Sequence, residues 1–564
     1  MKNFEFILAR AFNSYKVTAP LTSLGIKCLA NQMDSDRTKS YLSAILKRKL
    51  SVNKNLTIRN SKVLKSRELD VDTYRYVVTP SPLSALMEAE FFRELAANYN
   101  EKDYVYSYRL PKVQEKSYRN FQYYYDNYVM MNKNILSSMI KNKCDSVLII
   151  DLKAFYPSID VNQVLSEIEQ EGIFYESVLN TFATYQNGLP IGLDTSHLLA
   201  QHYLKDFDIQ LSKEFKGKYF RYVDDIFIVC DKSNKESIIS FVDEHLPSGL
   251  QLNEDKLDIA NEATWKTVTS NIEERRRLDS FVTYFSIFIA FNSSELEQSN
   301  IKELLERNGF YIPIYKFSDR VQTSTFSRFF EILLKERFKL VFTISRWSNE
   351  DLVSYCKNRK VTHLSEVKSS INEIERYQHR KDIVSRFKIQ NIKYHLGNLF
   401  YLLNDDELID LKNDLQEHSE LAYFGAIVDA LINNDFNSVL ELGGKHIMTL
   451  ADMWLSRGKT PVSLDVSKME LLDDFSESLL LLNLIGVIKL DLRELAGKFA
   501  DKNQYEFISS IIDREIPRQL SCEYSNELAS LFKPYSNQQL KDMLKSEFDR
   551  RDDIVFYGIE NGGY

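Results

Sequence analysis

The sequence has 564 residues, of which 44% are hydrophobic and 27% are charged, and its formal net charge is −8. These proportions are those of an ordinary globular protein, and they exclude a mostly disordered chain and a collagen-like one. Glycine occurs 17 times and proline 11 times, and so few helix breakers favour long helices over many short strands.

The cysteines and the apolar runs bear on the cellular compartment. The 5 cysteines stand far apart and form no CxxC pair, which disfavours a zinc ribbon or a disulfide framework and makes a reducing cytoplasm the default. The N-terminus carries Glu5 and Arg10 inside its apolar stretch and is a poor signal peptide. The longest apolar run, 479–490, is interrupted by Asn483 and Lys489, so we expect no membrane partner.

Charge alternates in blocks along the chain. The net charge is +10 over 1–150, −12 over 151–300, +8 over 301–400 and −14 over 401–564. Solvated helix faces can produce such blocks. The alternative is an acidic metal-binding centre flanked by basic surfaces that hold a polyanion.

The front of the chain mixes strand and helix patterns. In chain order these predict a strand at 71–79, a helix at 83–99, a strand at 104–110, a helix at 117–140, a buried strand at 146–152, helices at 160–185 and 193–215, and a hairpin centred on 224–225. Beyond residue 285 nearly every pattern is helical, at 299–308, 324–340, 365–379, 405–416, 419–433, 467–487, 503–514 and 536–549. We therefore expect an α+β fold with a boundary near 290–320, which divides the chain into 1–300 and an all-helical 301–564.

Three carboxylates stand where they could do chemistry. Asp151 ends the buried strand, where an unpaired carboxylate is costly. Asp224 and Asp225 occupy the predicted hairpin and repel each other unless a cation lies between them. If the strands are neighbours, the three carboxylates form a site for two hard divalent cations, which suits in-line phosphoryl transfer. Taken singly, Asp151 could instead be a helix cap, and the adjacent pair a solvated turn.

Four ordered segments carry a resemblance. DLKAFY at 151–156, NGLPIG at 187–192 with the following helix, and YVDD at 222–225 resemble motifs A, B and C of reverse transcriptases. GLQLN at 249–253 followed by Lys256 resembles motif D. The resemblance covers about residues 70–260 and implies right-hand fingers and palm, followed by a thumb-like, helical-repeat-like region.

The resemblance assigns roles to individual residues. Asp151 and Asp224 would be metal ligands and Asp225 would support the second metal, the ions being Mg²⁺ with Mn²⁺ as an alternative. Lys256 would be the general acid toward departing pyrophosphate, and the alternative is a surface lysine after a strand.

Five further residues would bind the nucleotide. Tyr156 stands where the family places the steric gate under the sugar, and Phe155 would be a second substrate-binding residue. Gly192 would let the backbone approach the nascent base pair. Arg109 and Arg75 are candidates for the triphosphate because arginine suits bidentate phosphate contacts, but each could be an ordinary surface arginine.

Departures from the family pattern narrow the subfamily. Pro190-Ile191-Gly192 replaces the usual Pro-Gln-Gly, which puts ordinary template reading in doubt, and Ser196 is followed by His197 instead of proline. The long helical half, acidic at its end, is most similar to bacterial abortive-infection and related defence-associated reverse transcriptases. Such an enzyme would use dNTPs, hold a DNA product and a possible noncoding RNA, and form a homo-oligomer.

Two features of the helical half allow more than one interpretation. The segment 320–394 interleaves cations with aromatics, which suits a channel for single strands or equally a helical core with a basic face. Charge reversal at Arg328 and Arg337 would distinguish the two by the salt dependence of binding. Arg359 and His363 are too close in sequence for a helical ribonuclease motif.

The sequence allows more than one function and more than one primer. An active polymerase in antiphage defence competes with a housekeeping enzyme that copies RNA and with a nucleic-acid-binding scaffold whose polymerase site is retired. The primer could be a protein hydroxyl, with candidates in the set Tyr123, Tyr124, Tyr125 and Tyr128 and at Tyr564, or it could be a bound noncoding RNA or the enzyme's own product.

Overall fold

The computed structural model describes residues 2–545 except for several short gaps. The gaps are 34–35, 51, 53, 68–71, 114–116, 171, 173–174, 268, 270–280, 293, 319–337, 377–382, 467–472, 514–519 and 521. Arg328, Arg337 and Tyr564 lie outside the described residues, as does most of the helix expected at 324–340.

The fold is α+β, and the described part of the chain has three small sheets among many helices. The strands are β1 (Ile58–Arg67), β2 (Asp72–Pro80), β3 (Ser146–Asp151), β4 (Tyr219–Tyr222), β5 (Asp225–Cys230), β6 (Asp258–Asn261), β7 (Val462–Ser463) and β8 (Ile488–Lys489). The helices before residue 250 are α1 (Lys2–Tyr15), α2 (Pro20–Asn31), α3 (Asp36–Leu50), α4 (Pro82–Asn98), α5 (Tyr124–Asn142), α6 (Phe155–Ser158), α7 (Val161–Gln170), α8 (Glu176–Thr184), α9 (Asp194–Tyr203), α10 (Lys205–Glu214) and α11 (Lys235–His245).

The helices after residue 280 follow one another with few interruptions. They are α12 (Phe281–Phe291), α13 (Glu295–Arg307), α14 (Tyr315–Ser318), α15 (Phe338–Ile344), α16 (Asn349–Arg376), α17 (Ile383–Leu402), α18 (Asp405–Leu415), α19 (Ala422–Asn433), α20 (Asn437–Leu440), α21 (Gly444–Ser456), α22 (Ser476–Ile485), α23 (Leu492–Leu495), α24 (Lys502–Ile512), α25 (Glu523–Phe532) and α26 (Asn537–Lys545). The short parallel pair β7–β8 interrupts what the sequence predicted as purely helical.

A four-stranded antiparallel sheet lies at the centre of the front half. Its strand order is β4-β5-β3-β6, and β3 is buried along its whole length. That burial explains why Ser146–Asp151 is a continuous apolar run up to its last residue, instead of alternating. In the register of β3 with β5, Asp151 lies opposite Asp225.

The hairpin β1–β2 packs beside this sheet through the segment 187–192. The Val78 amide donates to the Ile191 carbonyl at 2.7 Å, which ties β2 to that segment. The register of β1 shifts between Leu64 and Ser66, so Lys65 is the extra residue of a bulge. Bulges turn a side chain away from the regular pleat.

Most sequence-predicted elements of the front half are confirmed, but the strand at 104–110 is wrong. That segment makes only an isolated bridge, Val105 to Arg221, and then turns away because Tyr108 has a left-handed φ of 48°. The helix expected at 117–140 begins at Tyr124, and the one expected at 160–185 is two helices, α7 and α8.

In the second half the helix boundaries were less well predicted. The expected helix at 365–379 is the end of α16, which begins at Asn349. The sequence patterns missed α17, which runs from Ile383 to Leu402. Helices at 405–416, 419–433 and 503–514 are confirmed within a few residues.

Among the described residues, two apolar cores are much larger than the rest, and they do not follow the expected boundary strictly. One core joins α1, α3, α4 and the front sheet, and the other joins the helices after residue 280. Leu21, Leu24 and Cys28 of α2 belong to the second core. Within the described residues, no helix is long and apolar enough to cross a bilayer.

Candidate active site

The carboxylate site consists of Asp151, Asp224 and Asp225 at one end of the central sheet. Asp151 ends β3 and is 4% exposed, and Asp225 begins β5 directly opposite it. Directly opposed residues of an antiparallel pair point to the same face. Asp224 belongs to the two-residue turn between β4 and β5, so the sheet brings all three predicted residues together.

A buried ion pair holds that turn in shape. Arg221 is 1% exposed and donates twice to the Asp208 carboxylate, from Nε at 2.7 Å and from Nη2 at 2.6 Å. Its Nη1 donates to the Val223 carbonyl at 2.8 Å, and the Val223 amide donates to Ser107 Oγ at 2.9 Å. Val223 has a φ of 56°, a conformation that costs energy for a β-branched residue. The ion pair and Ser107 therefore hold the turn in a conformation that Val223 alone would not favour.

Negative charge is concentrated at this end of the sheet. Burial, reinforced by the Asp151 carboxylate, raises the pKa of Asp224 to about 6. Burial, followed by the charges of Asp224 and Asp151, raises the pKa of Asp225 to about 8. Carboxyl groups that resist ionisation together gain most from a cation between them.

The donor chemistry of the carboxylate site fits a hard divalent cation. All three side chains offer carboxylate oxygens, which are the ligands that Mg²⁺ prefers. Among the residues that the structure describes, no group of three or more His, Cys, Asp or Glu side chains is arranged so that it could hold a metal ion. The Asp151 carboxylate is turned toward two donors of the chain itself.

Those two donors come from the segment that follows the helix α11. Lys256 Nζ lies 2.8 Å from Asp151 Oδ1, and Asn253 Nδ2 donates to Asp151 Oδ2 at 2.8 Å. The backbone N–H of Asn253 also donates to the backbone carbonyl of Asp151 at 2.8 Å. Lys256, predicted from sequence, is thus at the carboxylate site, whereas the contribution of Asn253 was missed.

Two cations of the β1–β2 hairpin act on the carboxylate site, and one predicted arginine does not. The charge of half-buried Arg75 opposes the rise in the pKa of Asp224. Burial, followed by the charges of Arg75 and Lys256, lowers the pKa of Lys65, while Asp151 and Asp224 oppose that shift. Lys65 was missed because no pattern marks a bulge residue.

Arg109 has other partners. It donates to the carbonyls of Val105 at 2.7 Å and Asp103 at 2.8 Å, and its guanidinium lies 4.4 Å from the centre of the Tyr106 ring. These contacts hold the 103–109 loop together. The structure gives no contact between Arg109 and the carboxylate site, so its role with the triphosphate stays a prediction.

Tyr156 is enclosed beside the carboxylate site. Its ring is 9% exposed and lies 5.2 Å from the Phe155 ring, edge to face. Its hydroxyl is 2.5 Å from Nδ1 of His197, which the sequence noted only as a departure from the family pattern.

Gly192 has a structural requirement of its own. Its φ is +115°, and a Cβ there would lie 2.4 Å from the Val78 carbonyl oxygen of β2. Glycine at 192 is therefore needed for close contact with β2. The predicted approach of Gly192 to a base pair stays a prediction.

Helix α17 of the second half reaches this end of the sheet. Arg386 Nη2 lies 3.3 Å from the Lys256 carbonyl oxygen, and its charge opposes the rise in the pKa of Asp225. Phe387 packs on Tyr128 and Trp265 at ring distances of 6.2 and 6.3 Å. Sequence reasoning placed Arg386 in a general nucleic-acid channel and did not link it to the carboxylate site.

Two histidines of the second half, His363 and His395, lie against each other in the interior. His363 is fully buried, and its Nδ1 lies 2.7 Å from Nδ1 of His395. Burial lowers the pKa of His363 to about 3, so it stays neutral. The two imidazoles therefore serve as a buried polar contact between α16 and α17.

Comparisons with known proteins address the front half. Residues 95–302 match the family model described as reverse transcriptase (RNA-dependent DNA polymerase). The matched segment contains the carboxylate site, Tyr156, Gly192 and Lys256, while Arg75 and Arg386 lie outside it. No curated protein matches the chain. Residues 95–302 are therefore similar to reverse transcriptase domains, and this similarity indicates an RNA-directed DNA polymerase activity.

Proposed function

Because residues 95–302 match the reverse transcriptase family, we propose that the protein synthesises DNA from dNTPs by two-metal phosphoryl transfer at the carboxylate site. The observation that carries this proposal is the register that sets Asp151 opposite Asp225, with Asp224 in the adjoining turn and Lys256 at 2.8 Å from Asp151. We assign the central sheet to the palm and the β1–β2 hairpin to the fingers.

The reaction would depend on divalent ions held by the carboxylates and on three basic residues of the chain. Two divalent ions bound by the carboxylates would activate the attacking hydroxyl and stabilise the leaving oxygen. A primer 3′-oxygen attacks the α-phosphorus, and the bond from that phosphorus to the bridging oxygen breaks to release pyrophosphate. Lys65 and Arg75 would bind the triphosphate, and Lys256 would give its proton to the departing pyrophosphate.

Incorporation assays test this activity. The purified protein is incubated with Mg²⁺ and each dNTP, with and without a primed RNA template. We expect Asp151→Asn and Asp224→Asn to lose incorporation by on the order of a thousandfold or more while remaining folded. Asp231→Asn, which changes an exposed aspartate just after β5, is the matched control. Full activity of Asp224→Asn would contradict the assignment of the ligands.

We further propose a role in antiphage defence. The support is the replaced glutamine in Pro190-Ile191-Gly192 and the helical half that contacts the carboxylate site through Arg386. Phage plating on cells that carry the parent gene or its Asp224→Asn variant tests it. Equal plating on both would instead favour a housekeeping enzyme that copies RNA, or a retired scaffold if incorporation is also absent.

A tyrosine of the chain is our proposed primer, and Tyr128 is the best supported candidate. Its ring lies 5.2 Å from that of Tyr222, which adjoins the Asp224 turn. Tyr125 is buried, and Tyr123 is exposed at the start of the same helix region. If Tyr128 primes, label from dNTPs will migrate with the denatured polypeptide in the parent and in Tyr123→Phe but not in Tyr128→Phe.

Label that runs only as free DNA in all three proteins would instead favour priming from a noncoding RNA or from the product.

We also propose that the protein is a homo-oligomer, with the acidic segment 401–564 supplying contacts. Light scattering of the full chain measures its mass in solution, and a mass of 66.0 kDa would contradict this proposal.

A further inference from the structure

The Tyr156 hydroxyl has a specific partner inside the protein. Tyr156 and His197 are 9% and 6% exposed, and the hydroxyl oxygen lies 2.5 Å from Nδ1. The two ring planes are inclined by 74°, with centres 5.4 Å apart, so the contact is edge to face and not a stack. The hydroxyl is therefore the main polar link between α6 and α9.

Burial keeps both partners of this hydrogen bond uncharged. Burial lowers the pKa of His197 to about 3, so the imidazole is neutral at physiological pH. Burial also raises the pKa of Tyr156 above its usual value, so its hydroxyl keeps its proton. The hydrogen bond therefore joins two neutral groups, and the imidazole tautomer decides which of them donates.

A second ring holds the imidazole from its other side. Tyr108 stacks on His197 with ring centres 3.8 Å apart and an interplanar angle of 9°. Tyr108 is itself positioned by its left-handed backbone, and the preceding residue, Ser107, accepts from Gln201 Nε2 through its carbonyl at 2.7 Å. Because Gln201 lies on the same helix as His197, loop and helix fix the imidazole together.

We propose that His197 is a positioning residue that fixes the Tyr156 ring and thereby sets the selectivity for deoxyribose over ribose. This inference rests on the proposed polymerase function, with Tyr156 as its steric gate. A gate excludes a 2′-hydroxyl only while its ring cannot move aside. The hydrogen bond to His197 and the stack of Tyr108 restrict that movement, as supporting residues do for a preorganised site.

Four variants separate the ring from its hydrogen bond. Tyr156→Phe keeps the ring and removes the hydroxyl, and His197→Phe keeps an aromatic partner for Tyr108 and removes Nδ1. The double variant Tyr156→Phe/His197→Phe measures coupling, and His197→Asn restores a hydrogen-bonding group near the position of Nδ1. The measured quantity is the ratio of kcat/KM for a dNTP to that for the matching NTP.

We expect this ratio to fall by on the order of tenfold in each single Phe variant, since a buried hydrogen bond is lost. The double variant should fall no further, and His197→Asn should recover part of the ratio. Parental ratios in Tyr156→Phe and His197→Phe would overturn the proposal. If His197→Phe does not fold, Tyr156→Phe decides alone because it removes a single oxygen atom.

Tyr156→Ala distinguishes this inference from the proposed function beneath it. If Tyr156→Ala admits NTPs while the Phe variants keep the parental ratio, the gate stands and the role of His197 is refuted. If Tyr156→Ala also keeps the parental ratio, the gate itself is refuted, and the role of His197 with it. Loss of all incorporation in every variant, the parent included, would contradict the polymerase activity instead.

Discussion

Lys256 Nζ lies 2.8 Å from Oδ1 of Asp151, so a cation of the chain itself occupies one oxygen of the carboxylate that is expected to bind metal. The Asp151 side chain is 6% exposed and that of Lys256 is 46% exposed. The lysine can therefore leave the carboxylate at little cost, because an exposed ammonium regains its hydration. Metal and lysine would then exchange places on the same carboxylate.

Replacement of Lys256 should lower turnover more than affinity. We expect Lys256→Ala to lower kcat by roughly a hundredfold or more with a small change in KM for dNTP, because general-acid assistance is lost. Lys256→Arg keeps the charge but donates a proton poorly, so its kcat should be similarly low. Single-turnover incorporation checks both, with Lys266→Ala, an exposed lysine, as control. Parental kcat in Lys256→Ala would remove the lysine from the chemical step.

Metal-free stability should depend on pH through two carboxyl groups. The pKa values of Asp224 and Asp225 are raised, to about 6 and about 8. The folded state then binds more protons than the unfolded one, so stability is fully present below about pH 4 and is lost as pH rises through 6 and 8. Thermal melts in EDTA from pH 5 to 9 measure this.

The Asp225→Asn variant should lack the loss of stability that the parent shows as the pH rises through about 8. At pH 8 in EDTA we expect Asp225→Asn to melt a few degrees above the parent, and Mg²⁺ to raise the melting temperature of the parent more than that of Asp225→Asn. A parent melt that is flat between pH 6 and 9, with no response to Mg²⁺, would contradict the close grouping of the carboxylates.

The Arg221–Asp208 pair should matter for activity through the turn that it holds. Burial opposes the charge of Arg221, but Asp208 outweighs burial and raises the pKa of Arg221 above its ordinary value. Arg221→Lys keeps one charge yet loses the bidentate contact and the bond to the Val223 carbonyl. We expect kcat to fall by about tenfold or more and stability by roughly 1–3 kcal/mol. Circular dichroism separates the two effects, and unchanged kcat would show that the turn holds its shape without this pair.

The two hairpin cations should govern affinity for the nucleotide. Lys65→Ala and Arg75→Ala should each raise KM for dNTP by about tenfold with a smaller effect on kcat, because they would contact the triphosphate. Lys62→Ala is the matched control on the same strand, since its ammonium lies 4.0 Å from the Tyr74 ring. A KM in Arg75→Ala equal to that of Lys62→Ala would remove Arg75 from the site.

The three carboxylates could be found from the sequence because unpaired aspartates are unfavourable at such positions. An aspartate at the end of an apolar run, such as Asp151, and an adjacent pair in a turn, such as Asp224 and Asp225, are both unfavourable without a partner. Their meeting needed only the assumption that β3 and β5 are neighbours, which the structure bears out.

The supporting residues could not be predicted in the same way. Asp208 and Arg221 pair between a helix and a strand, and a periodic pattern does not report which buried charges meet. The left-handed backbone at Tyr108 ends the extended run that the apolar alternation predicted at 104–110. His197 was visible as an unexpected residue, but its role depends on the distance to Tyr156, which is 41 positions away in sequence.

The contact between Arg386 and Lys256 has a consequence for protein synthesis. The two residues are 130 positions apart, so Lys256 and the central sheet leave the ribosome well before α17 does. Domains generally fold in the order of their synthesis. The nascent chain can form the central sheet early, but the surroundings of Lys256 are complete only once α17 has packed against Tyr128 and Trp265. A chain whose translation stops before α17 would thus carry the carboxylates without the guanidinium of Arg386, whose charge acts on Asp225 in the finished protein.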